Sequence, residues 1–389
     1  MITNRNVAFY APLKEPDHPS PSGDRLMARQ LIAALQQMGA DVRVMSRLRT
    51  HSAVPDAATL DSMRQASQHE RQRILAEARL DGWRPDLWFT YHPYYKAPDW
   101  LGPALARDFG IPYVAAEASY AKKRASDAWA AWQDEAMQAL CAASVLFCFS
   151  ERDRSGLLDC PGLSARLVDL KPFLQDLGSH RPDQRDHHAL PHKPIRLVTA
   201  AMMHPGDKFE SYSLLAEALG QIASLDWSLQ ILGDGAMRQE VEKLFAVLPA
   251  GKVNFAGLAT QHEVKQAFLA SDIFVWPGLG EAYGMVYLEA QAQGLPPVAL
   301  LTAGVPEVIK DGVTGLLVKP EVSVSQTALA YGEAIAGLMA DSRRRQALGL
   351  AATTFVHQER TEAVAMASLA EGLSDALQNH PRDNKQDRA

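Results

Sequence analysis

Two glutamates, Glu281 and Glu289, stand eight residues apart in the stretch GLGEAYGMVYLEAQAQGLPPVA, which follows Trp276 and Pro277. Glycines punctuate its first half and Gly284 opens a helical run, so Glu281 falls in a loop and Glu289 on the helix. Carboxylates are strong acceptors for vicinal hydroxyls such as those of a sugar or a ribose. The amides near Gly284, Met285 and Val286 become the open donors of a helix N-terminus, where hydrogen bonds and the dipole together favour a phosphate. A diphosphate flanked by two polyols is the natural occupant of such a segment.

The elements that must position these groups are legible on both sides. NVAFY reads as a buried strand, followed by a Pro/Ser loop that ends at Gly23. Leu26, Leu31, Leu35 and Met38 then recur with helical periodicity before Gly39 and the strand DVRVM, which makes one βαβ unit. DLWFTY, a helix from about Trp100 to Phe109, PYVAAE, a helix near 126–143 and SVLFCFS continue the alternation. A polar segment, QDLGSHRPDQRDHHALPHKP at 175–194, has no periodicity and reads as a linker. Its His180, His187, His188 and His192 have no Cys or carboxylate at ligand spacing, so a solvated linker is favoured over a metal site.

A second alternation follows: IRLVTAAM, WSLQILG, KVNFAG, DIFVWP, PPVAL and TGLLV are strands separated by helices, with a short helix near Val305–Lys310. Residues from about 325 to 378 are almost all helical. The expected class is α/β: an N-terminal Rossmann-like domain at 1–174, the linker, a C-terminal Rossmann-like domain at 195–378 that includes the terminal helices, and a disordered tail at 379–389. Two doubly wound sheets facing each other would put the ligand crevice between the domains.

Composition excludes other classes. With 389 residues, 47% hydrophobic and 22% charged, the chain is long enough for two cores and is neither disordered nor fibrous. A net charge of −6 gives no reason to expect nucleic acid as a partner. Cys141, Cys148 and Cys160 are odd in number and form no Cys-x-x-Cys, which favours a reducing, cytoplasmic setting over a disulfide framework. The start lacks a signal-peptide core and no run is long enough to span a bilayer, so a membrane would be met only from outside.

At EAYGMVYLE, with ILGDGAMRQEVE before it and GLPPVALLTAGVPEVIKDGVTGLLV after it, the chain resembles the retaining GT-B glycosyltransferases of the Glu-x7-Glu type, glycosyltransferase family 4, also called glycosyl transferases group 1. The likeness covers roughly 195–320; in the first half it is one of layout, with PSGD at the place of the family's first glycine loop. It implies transfer of a sugar, a hexose by preference, from a nucleotide-sugar donor to an acceptor hydroxyl with retention of configuration. No metal or other cofactor is implied, since the chain contains no Asp-x-Asp, through which the other major glycosyltransferase fold holds a divalent ion.

By the same resemblance Glu289 binds the nucleotide ribose, Glu281 holds the transferred sugar's hydroxyls, and Lys208 neutralises the leaving diphosphate. Gly23 lets the backbone approach the donor phosphates, Gly233 and Gly235 form the turn beside the base, and Gly257 with Leu258 lies against its ring. A plain strand-to-helix turn equally explains Gly233 and Gly235, and Lys208 has a competing reading as a solvated lysine. Glu307 reads as bracing its short helix, and Tyr283 and Trp276 as packing.

Two positions depart from the family. Ala201, Met202 and Met203 stand where an arginine usually shares the phosphate charge, and Glu117 stands where many relatives have a histidine. His92, at the end of the preceding strand, is the candidate to replace that histidine, with a satisfied loop residue as the alternative. The departures leave open a non-catalytic nucleotide-sugar-binding protein, and the fold leaves open a sugar epimerase. The acceptor is a glycan, a lipid-linked sugar or a small molecule. Lys122, Lys123 and Arg124, ahead of Trp129 and Trp132, fit weak contact with an anionic membrane or, more simply, surface cations beside core tryptophans. Oligomeric state is not legible.

Overall fold

The computed structural model describes residues 2–19, 22–175, 177 and 194–380. Most of the linker, with its four histidines, and the tail beyond 380 lie outside the described residues. The chain divides into one unit of Met1–Lys171 with Glu362–Ala389 and another of Pro172–Thr361.

The first unit runs β1 (Asn6–Tyr10), α1 (Gly23–Gln37), β2 (Asp41–Val44), α2 (Ala57–Asp81), β3 (Leu87–Tyr91), α3 (Leu101–Phe109), β4 (Tyr113–Ala116), α4 (Ala130–Ala142), β5 (Val145–Cys148), α5 (Glu151–Leu158) and β6 (Arg166–Asp169). Its six strands are parallel in the order β2-β1-β3-β4-β5-β6. Strands β3, β4 and β5 are buried throughout, as expected where helices cover both faces of a parallel sheet. Phe9, Phe89 and Phe147 form a ladder across one face, with centroids 5.7 and 6.0 Å apart.

The second unit runs β7 (Ile195–Ala200), α6 (Asp207–Gln221), β8 (Trp227–Leu232), α7 (Arg238–Phe245), β9 (Val253–Gly257), α8 (Gln261–Ala270), β10 (Ile273–Val275), α9 (Met285–Ala292), β11 (Pro297–Leu300), β12 (Leu316–Val318), α10 (Val324–Ala340) and α11 (Ser342–Glu359). Its parallel order is β12-β11-β10-β7-β8-β9. Both units are therefore Rossmann-like. The last helix of the chain, α12 (Glu362–Asn379), returns to the first unit.

That return corrects the expectation that the terminal helices all belong to the C-terminal domain. Ala365, Leu369, Gly372, Leu373 and Ala376 of α12 are buried, and the helix packs on β4, β5, β6 and α1. Gly372 explains how closely it sits: a Cβ there would lie 2.6 Å from the Phe147 ring. Strand β6 ends at Asp169, and the first unit's opening stretch of chain ends at Lys171.

Three elements went unread. α2 buries only Leu60, Ser67 and Ile74 along 25 residues, a stripe too thin to announce a helix. α5 and β6 are short, and β6 is an edge strand. Residues 122–126 form a 3-10 turn ahead of α4, and Val305–Glu307 is likewise 3-10. Trp129 and Trp132 are buried against Leu60, so the membrane reading retains its cations and loses its tryptophans. All three cysteines are unpaired thiols, and among the described residues no helix is long and apolar enough to cross a membrane.

Candidate active site

In the second unit β7 ends at Ala200, and the loop to α6 turns through Gly206, which places Lys208 in the first turn of α6. Strand β10 ends at Val275 and delivers Trp276 through Gly284 as a loop before α9. The two meet: Lys208 Nζ is hydrogen-bonded to Glu281 Oε1, and the indole N–H of Trp276 donates to the same oxygen at 3.0 Å. The Lys208 ammonium also lies 5.4 Å from the Trp276 ring centroid. Trp276 is fully buried and braced edge-on by Tyr212 at 4.9 Å, while the Tyr287 hydroxyl donates to its carbonyl at 2.9 Å. The sequence reading missed this role, because a buried tryptophan looks like packing until its N–H is followed.

Gly284 precedes α9 with φ of 77° and no side chain caps the helix. A Cβ at Gly284 would strike the Tyr287 ring at 2.6 Å, so the loop needs glycine for both space and backbone. Met285 and Val286 supply the first turn. Glu289, one turn on, is half-buried, and burial pushes its pKa up to about 7. Among the described residues its carboxyl group has no hydrogen-bond partner, so a ligand hydroxyl would meet an acceptor not already engaged.

Gly233 and Gly235 sit where β8 gives way to α7, with φ of 138° and 154°. A Cβ on them would lie 1.9 Å from the Ala201 carbonyl oxygen and 2.4 Å from that of Met203. The loop at Ala201–Met203, which lacks the family's arginine, thus closes on the turn: Met203 N–H donates to Asp234 O at 2.9 Å. Close approach and positive φ are thus the structural reason for both glycines. Gly257 ends β9 and Leu258 beyond it is an exposed apolar side chain. Arg238 stands beside this turn, held by Glu242 at 2.5 Å and stacked 4.9 Å over Phe255.

In the first unit a second cluster forms. His92 follows β3 and Glu117 follows β4, the neighbouring strand, and both have left-handed backbone. Asp24, second residue of α1 after Gly23, lies with Oδ1 3.0 Å from His92 Nδ1, and Glu117 Oε1 is 3.7 Å from the same nitrogen. Tyr91 donates its hydroxyl to Glu117 Oε2 at 2.6 Å. Burial alone would lower the His92 pKa, but Glu117 and Asp24 outweigh it and raise it to about 9. Burial pushes Glu117 up to about 7 against the pull of His92. Asp24 stays below the ordinary carboxylate range, its burial outweighed by the bond and charge of His92. Asp24, His92 and Glu117 offer ligand atoms within 4.8 Å of one another and could hold a metal ion. Gly23 is exposed, with open space where a Cβ would stand. Asp24 was overlooked in the sequence because nothing local links it to His92, 68 residues away.

Residues 181–355 match the family model described as glycosyl transferases group 1. Over those residues, a little under half of its length, the chain is similar to this family. Among similar proteins, a sulfoquinovosyl transferase of Arabidopsis thaliana is 36% identical over 128 residues, 32% of this chain and 23% of that protein. A GDP-mannose-dependent alpha-(1-6)-phosphatidylinositol monomannoside mannosyltransferase of Mycolicibacterium smegmatis is 29% identical over 255 residues, 61% of this chain and 64% of that one. The chain therefore spans less than two thirds of the length of these two relatives. Sucrose-phosphate synthase from Thermosynechococcus elongatus shares the fold, with a TM-score of 0.72 at 21% identity over 96% of this chain and all of that one. The two Rossmann-like units are accordingly those of the GT-B fold.

Proposed function

We propose that this protein is a glycosyltransferase that moves a sugar from a nucleotide-sugar donor to an acceptor hydroxyl, with retention of configuration and without a metal. The observation that carries the reading is the joining of Lys208 to Glu281 beside the uncapped N-terminus of α9, with Glu289 one turn along. A diphosphate would take the Lys208 ammonium and the first amides of α9; sugar hydroxyls would take Glu281, and the ribose Glu289. The match of residues 181–355 to the family model and a relative named for GDP-mannose dependence support a nucleotide-sugar donor.

The departing phosphate draws charge as the glycosidic bond breaks, and Lys208 with the helix amides stabilises that charge where it develops. In retaining transfer of this kind the acceptor hydroxyl is the nucleophile and the leaving phosphate can accept its proton, so no dedicated protein base is needed. His92, held as an imidazolium, is assigned the hydrogen-bond donor role that the family gives to a histidine at the place of Glu117. No observation favours the epimerase or the non-catalytic reading.

The test is a thermal-shift panel of UDP, GDP and ADP and their sugars on wild type and Glu289→Gln. A rise for one base that is lost in the variant supports the donor site, and the anomeric proton signal of the product then reports retention. No rise for any nucleotide, with or without acceptor, overturns it.

A further inference from the structure

The loop that carries Glu281 leans on a second segment of the same unit, residues 302–307. Gly304 N–H donates to Glu281 O at 3.4 Å and Thr302 Oγ1 donates to Gly278 O at 3.4 Å. A Cβ at Gly304 would lie 1.6 Å from Ala282 O, so the two backbones touch. Between Thr302 and Gly304, Ala303 holds φ of 46°, a left-handed conformation that disfavours any residue with a side chain and persists where its surroundings enforce it. The segment then enters the 3-10 turn Val305–Glu307, in which Glu307 N–H donates to Gly304 O at 3.0 Å.

Arg360 holds the far end of that turn. Its Nη2 donates to Glu307 O at 3.0 Å and its Nη1 to Glu359 O at 3.0 Å, both main-chain carbonyls. The side chain is buried, with the guanidinium 4.5 Å from the Phe355 ring centroid. Burial disfavours a charge, and it lowers the Arg360 pKa against the pull of Glu359 and Glu307. An apolar side chain would fill the same space without that penalty, so the arginine is explained by what its N–H groups hold. Its own backbone is fixed on both sides: Arg360 N–H donates to Val356 O at 3.0 Å, and Leu174 N–H donates to Arg360 O at 2.9 Å. From α9, Gln291 steadies the next residue of the segment by donating to Val308 O at 2.7 Å.

We propose that Arg360 is a positioning residue for the donor site: by holding Glu307 O it keeps residues 302–307 against the loop at 278–282 and so fixes where Glu281 presents its carboxylate. The role of Glu281 rests on the transferase reading; the strut rests on the geometry of the second unit alone.

The test has two arms on the full chain, with Arg360→Met, which keeps an apolar stem and removes the donors, and Arg360→Lys, which keeps a charge and a donor. In the first arm amide hydrogen exchange should quicken by about tenfold across 302–307 and 278–282 in Arg360→Met, less in Arg360→Lys, and not at all in β7 and β8. The second arm uses UDP-glucose and GDP-mannose with water as the acceptor and reads release of the nucleoside diphosphate. There kcat should fall about tenfold in Arg360→Met and recover in part in Arg360→Lys, while the Kd of free UDP or GDP, for which Glu289 and not Glu281 is assigned, stays within about twofold. Wild-type exchange and turnover in Arg360→Met overturn the proposal, as does a parallel loss of turnover and free-nucleotide affinity, which marks general loosening. If Arg360→Met does not fold, Arg360→Lys carries the same comparison. A wild type that binds neither nucleotide overturns the transferase reading, and the exchange arm then still decides the strut.

Discussion

His92 and Glu117 stand side by side, each one residue past the end of its own parallel strand, and both hold left-handed backbone with φ of 59° and 54°. Such geometry is uncommon outside glycine and persists where surrounding structure enforces it. Here backbone bonds enforce it: His92 N–H donates to Ala116 O at 2.8 Å and Glu117 N–H to Phe147 O at 2.9 Å. The imidazole and the carboxyl group are thereby aimed at one point with Asp24.

Asp24→Asn keeps the shape of that contact and removes its charge. The His92 pKa, about 9 against an ordinary 6.5, should fall. A histidine raised in the folded state contributes stability that is fully present below about 6.5 and lost as pH rises through about 9. The melting temperature of the variant should therefore decline less than that of wild type across this window. A ring titration by NMR that leaves His92 unmoved would remove Asp24 as its partner.

Lys208→Ala should lower kcat by well over tenfold, since one donor aimed at developing charge is worth roughly that or more. Steady-state kinetics decide it, and unchanged turnover removes Lys208 from the mechanism.

Trp276→Phe retains the ring in its buried slot and deletes only the N–H on Glu281. A hydrogen bond to a charged group contributes about 1.5 kcal/mol or more, so turnover should fall roughly tenfold. The melting temperature should move by only a few degrees. Wild-type kinetics in a folded variant would return Trp276 to a packing role.

Glu289→Gln should chiefly weaken nucleotide binding. It should also flatten a pH dependence: a carboxyl raised to about 7 is favoured protonated in the folded state, so wild-type stability falls as pH climbs from about 4.5 through 7. Nucleotide affinity equal to wild type would defeat the ribose assignment.

Exhaustive chelation with EDTA should leave turnover intact. Loss of activity that zinc or manganese restores in wild type but not in Asp24→Asn would instead place a functional ion among Asp24, His92 and Glu117.

Local chemistry was readable where it is local. The loop carrying Glu281, the helix carrying Glu289 and every strand of the second unit announce themselves by glycines and apolar runs. What stayed hidden was whatever depends on distant chain. Asp24 meets His92, and Lys208 meets Glu281 across 73 residues, only after the sheets form. Lys208 was found because it sits in a recognisable motif; Asp24 has none. α2 was invisible for a different reason: its buried residues recur at intervals of seven on a polar helix, which leaves no local periodicity to detect.

The return of α12 makes the second unit an insertion within the first, and the two chain crossings lie beside each other, paired at Leu174 and Thr361. During synthesis the inserted unit has its entire sequence by Thr361, whereas the unit that starts first must wait for the last helix to cover Phe147. The order of birth and the order of completion are thus reversed. Until the final turns of α12 leave the ribosome, the Phe147 end of the first sheet lacks its cover.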